Sequence, residues 1–212
     1  MIFIVDASGY DEHRDLIDQV YRLRAEQFHG RRNWRVVVTD GKETDFFDEL
    51  GPVYVINADQ NRRVLGSLRL LPTTGPHMLA DVFAAIMDGE AIVRHPLIWE
   101  SSRFVVDTSV LKAGDRAVNL ATGELLAGLF EAAEAIGLRQ IVSVYDVAVY
   151  RILKRAGCDI APLGRMVRFD GLPTVAGLFS VGPAVTDELR RRAGLAGSVL
   201  APSAHRSLEE VA

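Results

Sequence analysis

One cysteine, Cys158, stands among 212 residues. That excludes an internal disulfide, and equally a zinc site built from several thiolates. Long apolar runs are missing too: none approaches the roughly 18 residues of a membrane span. The opening Met-Ile-Phe-Ile-Val-Asp is apolar but lacks a basic start, and charges follow by Asp11. It is expected to be a first strand, not a signal peptide. Neither sign of charge dominates. With 24 Lys and Arg against 28 Asp and Glu the formal net charge is −4, which argues against nucleic acid as the main partner, since such domains are generally basic. The five histidines, at 13, 29, 77, 95 and 205, show no metal-ligand spacing. No Walker loop, Gly-x-Gly-x-x-Gly or Gly-x-Ser-x-Gly occurs, so the phosphate-binding and hydrolase classes they mark are unsupported. What is present, 49% hydrophobic and 25% charged residues, is the composition of a globular chain. The expectation is one domain over residues 1–212, in the cytoplasm, with no membrane contact.

Periodicity then assigns the elements. Ile2–Asp6 reads as a strand, and Asp11–Phe28 as a helix with Leu16, Ile17, Val20, Tyr21, Leu23 and Phe28 on one stripe. Residues 29–50 break the pattern, with Trp34, Phe46 and Phe47 among the acids Glu43, Asp45, Asp48 and Glu49; this segment reads as a lid over a ligand. Val53–Ala58 and Val64–Leu71 form a hairpin around Asp59–Arg62. His77–Met87 reads as a short helix, Asp115–Ile136 as the longest one with Gly137 as its cap, and Val147–Ala156 as another. Short strands at 139–145, 160–163, 166–169 and 175–181 and a helix at 183–192 complete the pattern, leaving the last twenty residues loose. Strands with a few long helices packed on them imply an α/β or α+β sandwich with a mixed sheet.

Leu97–Asp107 is the unusual stretch. Ile98, Trp99, Phe104, Val105 and Val106 are strand formers, yet Glu100-Ser101-Ser102-Arg103 sits at their centre. A carboxylate and a guanidinium there are costly to bury unless paired. Two readings stay open: a structural ion pair, or a strand interrupted to carry an acid/base group and a cationic anchor into a cleft. Alternation puts Glu100 and Arg103 on opposite faces, so one site needs a bulge or a splay. Arg24, Glu43, Asp45, Asp48 and Arg69 are further charges in apolar company. With Phe28 and Trp34 they suggest a pocket for a small zwitterion, carboxylates meeting an ammonium or sulfonium and arginines a carboxylate.

The blocks Leu23-Arg24…Phe28…Trp34, Glu43-Thr44-Asp45-Phe46-Phe47-Asp48, Gly66–Pro76 and Trp99-Glu100-Ser101-Ser102-Arg103-Phe104 together resemble the N-acyl-homoserine lactone synthases, the autoinducer synthases of quorum sensing. The resemblance spans roughly residues 20–170. It implies a three-layer, N-acetyltransferase-like fold whose mixed sheet is splayed at its centre. It also implies two substrates: S-adenosyl-L-methionine and an acyl thioester, carried on acyl carrier protein or coenzyme A. By that resemblance Arg24, Phe28, Trp34, Asp45, Asp48, Arg69 and Arg103 bind adenosylmethionine, and Glu100 is the general base. Asp45 is its rival, with Glu43 or Asp48 behind. No metal or other cofactor is required, adenosylmethionine being consumed.

Leu125, Leu126, Leu129, Ser143 and Tyr145 are candidates for an acyl channel. Ser143 falls where the family often carries a hydroxyl residue associated with 3-oxo chains, here serine in place of threonine. Arg151, Lys154, Arg155, Arg165 and Arg168, with Asp159 the one acid among them, are candidates for docking an acidic carrier protein. The rival readings are a CoA-dependent N-acyltransferase of the same fold acting on another amine, and a catalytically silent ligand-binding module. Against the first, Ser109–Ala117 holds Gly114 alone where a pyrophosphate-cradling glycine motif would fall.

Overall fold

Alternating side chains along the strands build a core on each face of one sheet. The computed structural model describes residues 1–31, 36–110, 119–202 and 204. In chain order its elements are β1 (Ile2–Val5), α1 (Arg14–Arg24), the two-residue β2 (Val38–Thr39) and β3 (Lys42–Glu43), β4 (Val53–Ala58), β5 (Val64–Pro72), α2 (Met78–Asp81), β6 (Ile98–Val106), α3 (Leu120–Ile136), β7 (Gln140–Asp146), α4 (Val147–Ala156), β8 (Ala161–Phe169), β9 (Leu172–Ser180) and α5 (Pro183–Ala193). Seven strands form the main sheet in the order β1-β4-β5-β6-β7-β9-β8. Only the β6–β7 pair is parallel, so the sheet is mixed.

On one face Ile2, Ile4, Val53, Val55, Leu68 and Leu70 pack with residues of α3, α4 and α5, among them Phe130, Leu153 and Leu189. On the other, Val5, Tyr54 and Ile56 meet Leu16, Ile17 and Val20 of α1, and Val142 and Ala176 meet Leu79, Ile86 and Met87. The three layers match the expected sandwich. Among the described residues no helix is long and apolar enough to cross a membrane.

Two irregularities open the middle of this sheet. β6 pairs with β7 only from Ile98↔Gln140 to Ser101↔Ser143, while β7 stays paired with β9 as far as Asp146. Beyond Ser101 the two parallel strands diverge. On its other side β6 bulges: Arg69 faces Ser102 and Ser67 faces Val105, so Arg103 and Phe104 together oppose Leu68. Arg103 takes a positive φ of 55°, the local twist that lets a bulged residue redirect its side chain.

Several expected boundaries move. The first helix continues as a π-helix, Ala25–Arg31. The 77–87 helix is only α2 followed by a 3-10 turn, Ala84–Met87. The two short strands at 160–169 are one strand with a register shift between Leu163 and Val167. Of the 29–50 segment expected as a lid, Lys42 to Asp48 is tied to α1 and β5 by buried ion pairs described below, and 32–35 lie outside the described residues. Of the C-terminal stretch expected to be loose, residues 193–202 are held in place, while 203 and 205–212 lie outside the described residues. α5 ends at Gly194 (φ 71°), and the chain then runs beside β1, with Ile2 N donating to Val199 O (2.8 Å) and Ala201 N to Ile2 O (2.7 Å). β1 is a sheet edge whose backbone groups would otherwise be unpaired, and this segment covers it.

Candidate active site

Six of the charges singled out in the sequence converge on one network. Arg24 ends α1, and its guanidinium donates from Nε to Glu43 Oε2 (2.5 Å) and through Nη1 and Nη2 to both oxygens of Asp48 (2.9 Å each). Arg69 of β5 donates from Nη1 to Asp45 Oδ1 (2.5 Å) and Asp48 Oδ1 (2.7 Å), and from Nη2 to Asp45 Oδ2 (3.1 Å). Arg103 closes the ring, with Nη2 at 2.6 Å from Asp45 Oδ2 and 3.0 Å from Glu43 Oε1. Arg24 and Arg69 are wholly buried (0% exposed), a situation tolerated only with near-complete pairing. Three cations here meet three anions.

Local structure explains the convergence. Asp45 caps the 3-10 turn Phe46–Asp48, its side chain accepting from Phe47 N while Asp48 accepts from Asp45 N, a reciprocal capping box. That turn fixes both carboxylates toward β5. Burial pushes the Asp48 carboxyl up, but the hydrogen bonds and charge of Arg24, with the charge of Arg69, outweigh it and hold the group far below the usual carboxylate range. The aromatic residues serve the cations: Arg103 lies 5.7 Å over the Phe28 ring and Arg69 5.4 Å over Phe47. Trp34 lies outside the described residues, as does the 111–117 part of the segment lacking a glycine motif.

Tyr54 extends the network and was not singled out in the sequence. Its hydroxyl donates to Asp48 Oδ1 (2.6 Å) and lies 3.0 Å from Tyr21 Oη. The hairpin register carries the signal, for Tyr54 is directly opposite Arg69 across β4 and β5. Ser102, opposite Arg69 on the other side, accepts from its Nε (3.2 Å). Met78 was missed as well: its sulfur sits 3.4 Å from both Arg69 Nη2 and Arg103 Nη1.

Glu100 stands apart from this ring. It is 1% exposed, and its two oxygens accept from the backbone N–H groups of Met78 and Leu79, 2.7 Å each. The turn presenting those donors is itself held: Arg94 Nη1 reaches the carbonyls of Thr73, Thr74 and Gly75. Burial pushes the Glu100 carboxyl up to about 7, against the opposing pull of the two N–H donors and of Arg69. A carboxyl poised there can both accept and return a proton near neutrality.

Beyond the splay lies a cavity of ≈ 290 Å³. Glu100, Ser101 and Arg103 line it together with Phe28, Val36 and Met78, and Leu126, Leu129, Phe130, Tyr145 and Phe179 contribute apolar walls. Of the four candidate base carboxylates, Glu100 alone is among its lining residues; Glu43, Asp45 and Asp48 are not. Ser143 lines it where the strands part, its Oγ donating to Ser101 O (2.7 Å). Leu125 is corrected: it points instead at β5, where a Cβ on Gly66 would lie 3.3 Å from it, because it occupies the turn of α3 facing the sheet core. Among the described residues no group of three His, Cys, Asp or Glu is arranged to hold a metal ion.

The five expected docking cations are all exposed but do not form one patch. Arg151, Lys154 and Arg155 share the outer stripe of α4, opposite its buried Val149, Leu153 and Ala156. Arg165 instead pairs with Asp88 (3.1 Å), beside the 3-10 turn on the opposite sheet face, since the β8 bulge turns it there. Arg168 donates to Gly171 O (2.8 Å) in its own hairpin.

Comparison with known proteins places this geometry first by class, then by family. A solved structure from Lactobacillus plantarum named as an N-acetyltransferase shares the fold at a TM-score of 0.56 and 16% identity, covering 85% of this chain and 99% of that one. The architecture is thus that of the N-acetyltransferase-like proteins. Residues 9–181 match the family model for autoinducer synthases. The acyl-homoserine-lactone synthase of Agrobacterium fabrum is 37% identical over 177 residues, 83% of this chain and 84% of that protein. The structure of BjaI, a CoA-dependent acyl-homoserine lactone synthase with SAM and isopentyl-CoA, agrees at a TM-score of 0.85 and 26% identity over 99% of each chain. This chain belongs to the autoinducer synthase family.

Proposed function

We infer that the protein is an acyl-homoserine-lactone synthase that acylates the α-amine of S-adenosyl-L-methionine from an acyl thioester and then closes the lactone. The observation that carries this reading is Glu100: a buried carboxyl with a raised pKa that lines a largely apolar cavity opened by the β6–β7 splay. The amine, with an unperturbed pKa of about 8, must lose a proton to attack. Glu100 takes it, the nitrogen adds to the thioester carbon, and the carbon–sulfur bond breaks as the nitrogen's second proton passes to the departing thiolate, leaving an amide and a free thiol, the first proton going from Glu100 to solvent. The methionyl carboxylate then displaces methylthioadenosine from its own γ-carbon, an intramolecular step needing chiefly a folded geometry. The chain's own residues suffice for both steps, without a metal or redox cofactor.

Arg103 is the cation for the substrate carboxylate, for it lines the cavity and its buried Nε has no hydrogen-bond partner. Asp45 is a weaker base on geometry, since four donors, two from Arg69 with Arg103 and Phe47 N, already occupy its oxygens. Arg24, Asp48 and Arg69 shape the pocket from behind. The acyl chain occupies the region of Leu126, Leu129, Ser143 and Tyr145. The donor is an acyl-CoA, as for the CoA-dependent BjaI, or an acyl carrier protein, which the α4 stripe of Arg151, Lys154 and Arg155 would suit by charge.

Purified protein given adenosylmethionine and a series of acyl-CoAs and acyl-carrier proteins should release methylthioadenosine, with an acyl-homoserine lactone detected by mass. Folded protein releasing none with any donor would leave the silent binding module standing.

A further inference from the structure

Behind one lining residue of the acyl cavity, Tyr145, lies a position on β9 that carries no side chain. Gly177 lies on β9 between Val175 and Phe179, on the face that packs against α3 and α4. A Cβ built there would stand 2.4 Å from Tyr145 Oη and 2.5 Å from Ile160 Cγ2. Packed interiors hold no such contacts, so one group or the other must shift. The hydroxyl end of Tyr145 thus occupies the volume a side chain at 177 would take. The two residues are diagonal neighbours, since Tyr145 pairs with Val175 and Ser143 with Gly177, a spacing that an aromatic side chain spans.

Tyr145 itself lines the cavity and is held by two aromatic neighbours. Its ring stacks on Tyr150 at 6.4 Å and 15° and meets Phe179 edge-on at 6.0 Å. Val149 and Leu153 of α4 line the cavity beside it. The cavity is open space that a displaced ring can enter.

We propose that Gly177 sets acyl-chain length by giving Tyr145 a berth against β9, so that a side chain at 177 pushes the ring into the space the chain's distal carbons occupy. The proposal rests on the synthase reading above and goes beyond it in naming a residue that touches no substrate. Pockets of this kind discriminate one methylene by about 10–200-fold.

The test is the product profile of wild type, Gly177→Ala and Gly177→Ala/Tyr145→Phe, each incubated with adenosylmethionine and an equimolar ladder of straight-chain acyl thioesters. Gly177→Ala should lose its longest accepted chains by about tenfold or more in kcat/KM while keeping the shortest ones. Tyr145→Phe, which deletes the nearest atom, should restore much of the long-chain activity. A folded Gly177→Ala with the wild-type profile overturns the proposal, and so does a shift to short chains that Tyr145→Phe leaves untouched. Should Gly177→Ala not fold, Gly177→Ala/Ile160→Ala removes the second contact and carries the same prediction. Wild type that yields no lactone from any donor contradicts the synthase reading instead, whatever the wall does.

Discussion

The two halves of the site are built on opposite principles. The ring of Arg24, Arg69 and Arg103 with Glu43, Asp45 and Asp48 is charge-balanced and, Arg103 Nε apart, densely hydrogen-bonded. The cavity is apolar, and it exists because two strands stop pairing at Ser101 and Ser143. A densely bonded ring is rigid and has little left to offer a reacting proton. An unfilled cavity can receive a chain but supplies no chemistry. Glu100 sits where they meet, burial raising its pKa while two backbone donors keep it oriented. The difference teaches that candidate site residues identical in kind, four acids among arginines, divide by what already occupies their oxygens.

Removing charge from each half should separate these roles. The largest effect is expected from Glu100→Gln: turnover should fall about 10²–10⁴-fold while adenosylmethionine still binds, as calorimetry and steady-state kinetics would read. Breaking the ring should act on the fold instead. Arg24→Ala takes from Asp48 its two-pronged partner and from Glu43 its shorter contact, leaving each with one arginine, and should cost about 3–5 kcal/mol in chemical denaturation. Tyr54→Phe removes one bond to the Asp48 carboxylate and should cost about 1.5–3 kcal/mol with substrate affinity little changed. Equal loss of turnover from Tyr54→Phe and Glu100→Gln would erase the distinction between the halves. The smallest effect is at the rim: reversing Arg151, Lys154 and Arg155 to Glu should raise KM about tenfold for an acyl carrier protein donor, and leave an acyl-CoA donor unaffected. Equal change with both donors would place the stripe outside carrier recognition.

Much of this was legible in the chain. The charges of the ring, the strand at Leu97–Asp107 and the helix ending at Gly137 follow from residue type and periodicity. Strict alternation set Glu100 and Arg103 on opposite faces, and the structure obeys that logic through its exception: a bulge at Arg103 turns it into the ring while Glu100 faces α2. A bulge is a matter of pairing two strands, so neither strand alone announces it. Tyr54 was hidden for the same reason, since its role depends on lying opposite Arg69. Leu125 was misplaced because the apolar stripe of α3 faces both sheet core and cavity, and period alone does not divide them. Residues 198–201 looked loose from their composition, yet the edge of β1 and the buried Glu131, which accepts from Ser198 and Val199, hold them down.

The central claim is that Glu100 is the group that takes the proton, and single-turnover acyl transfer as a function of pH tests it most directly. A base must be ionised to act, so with its carboxyl at about 7 the wild-type rate should climb as pH rises through that value and flatten above it. In Glu100→Gln this inflection should vanish, leaving a slow reaction governed by the titration of the substrate amine near 8. An inflection near 7 that persists undiminished in Glu100→Gln would assign the proton to another group and contradict the account.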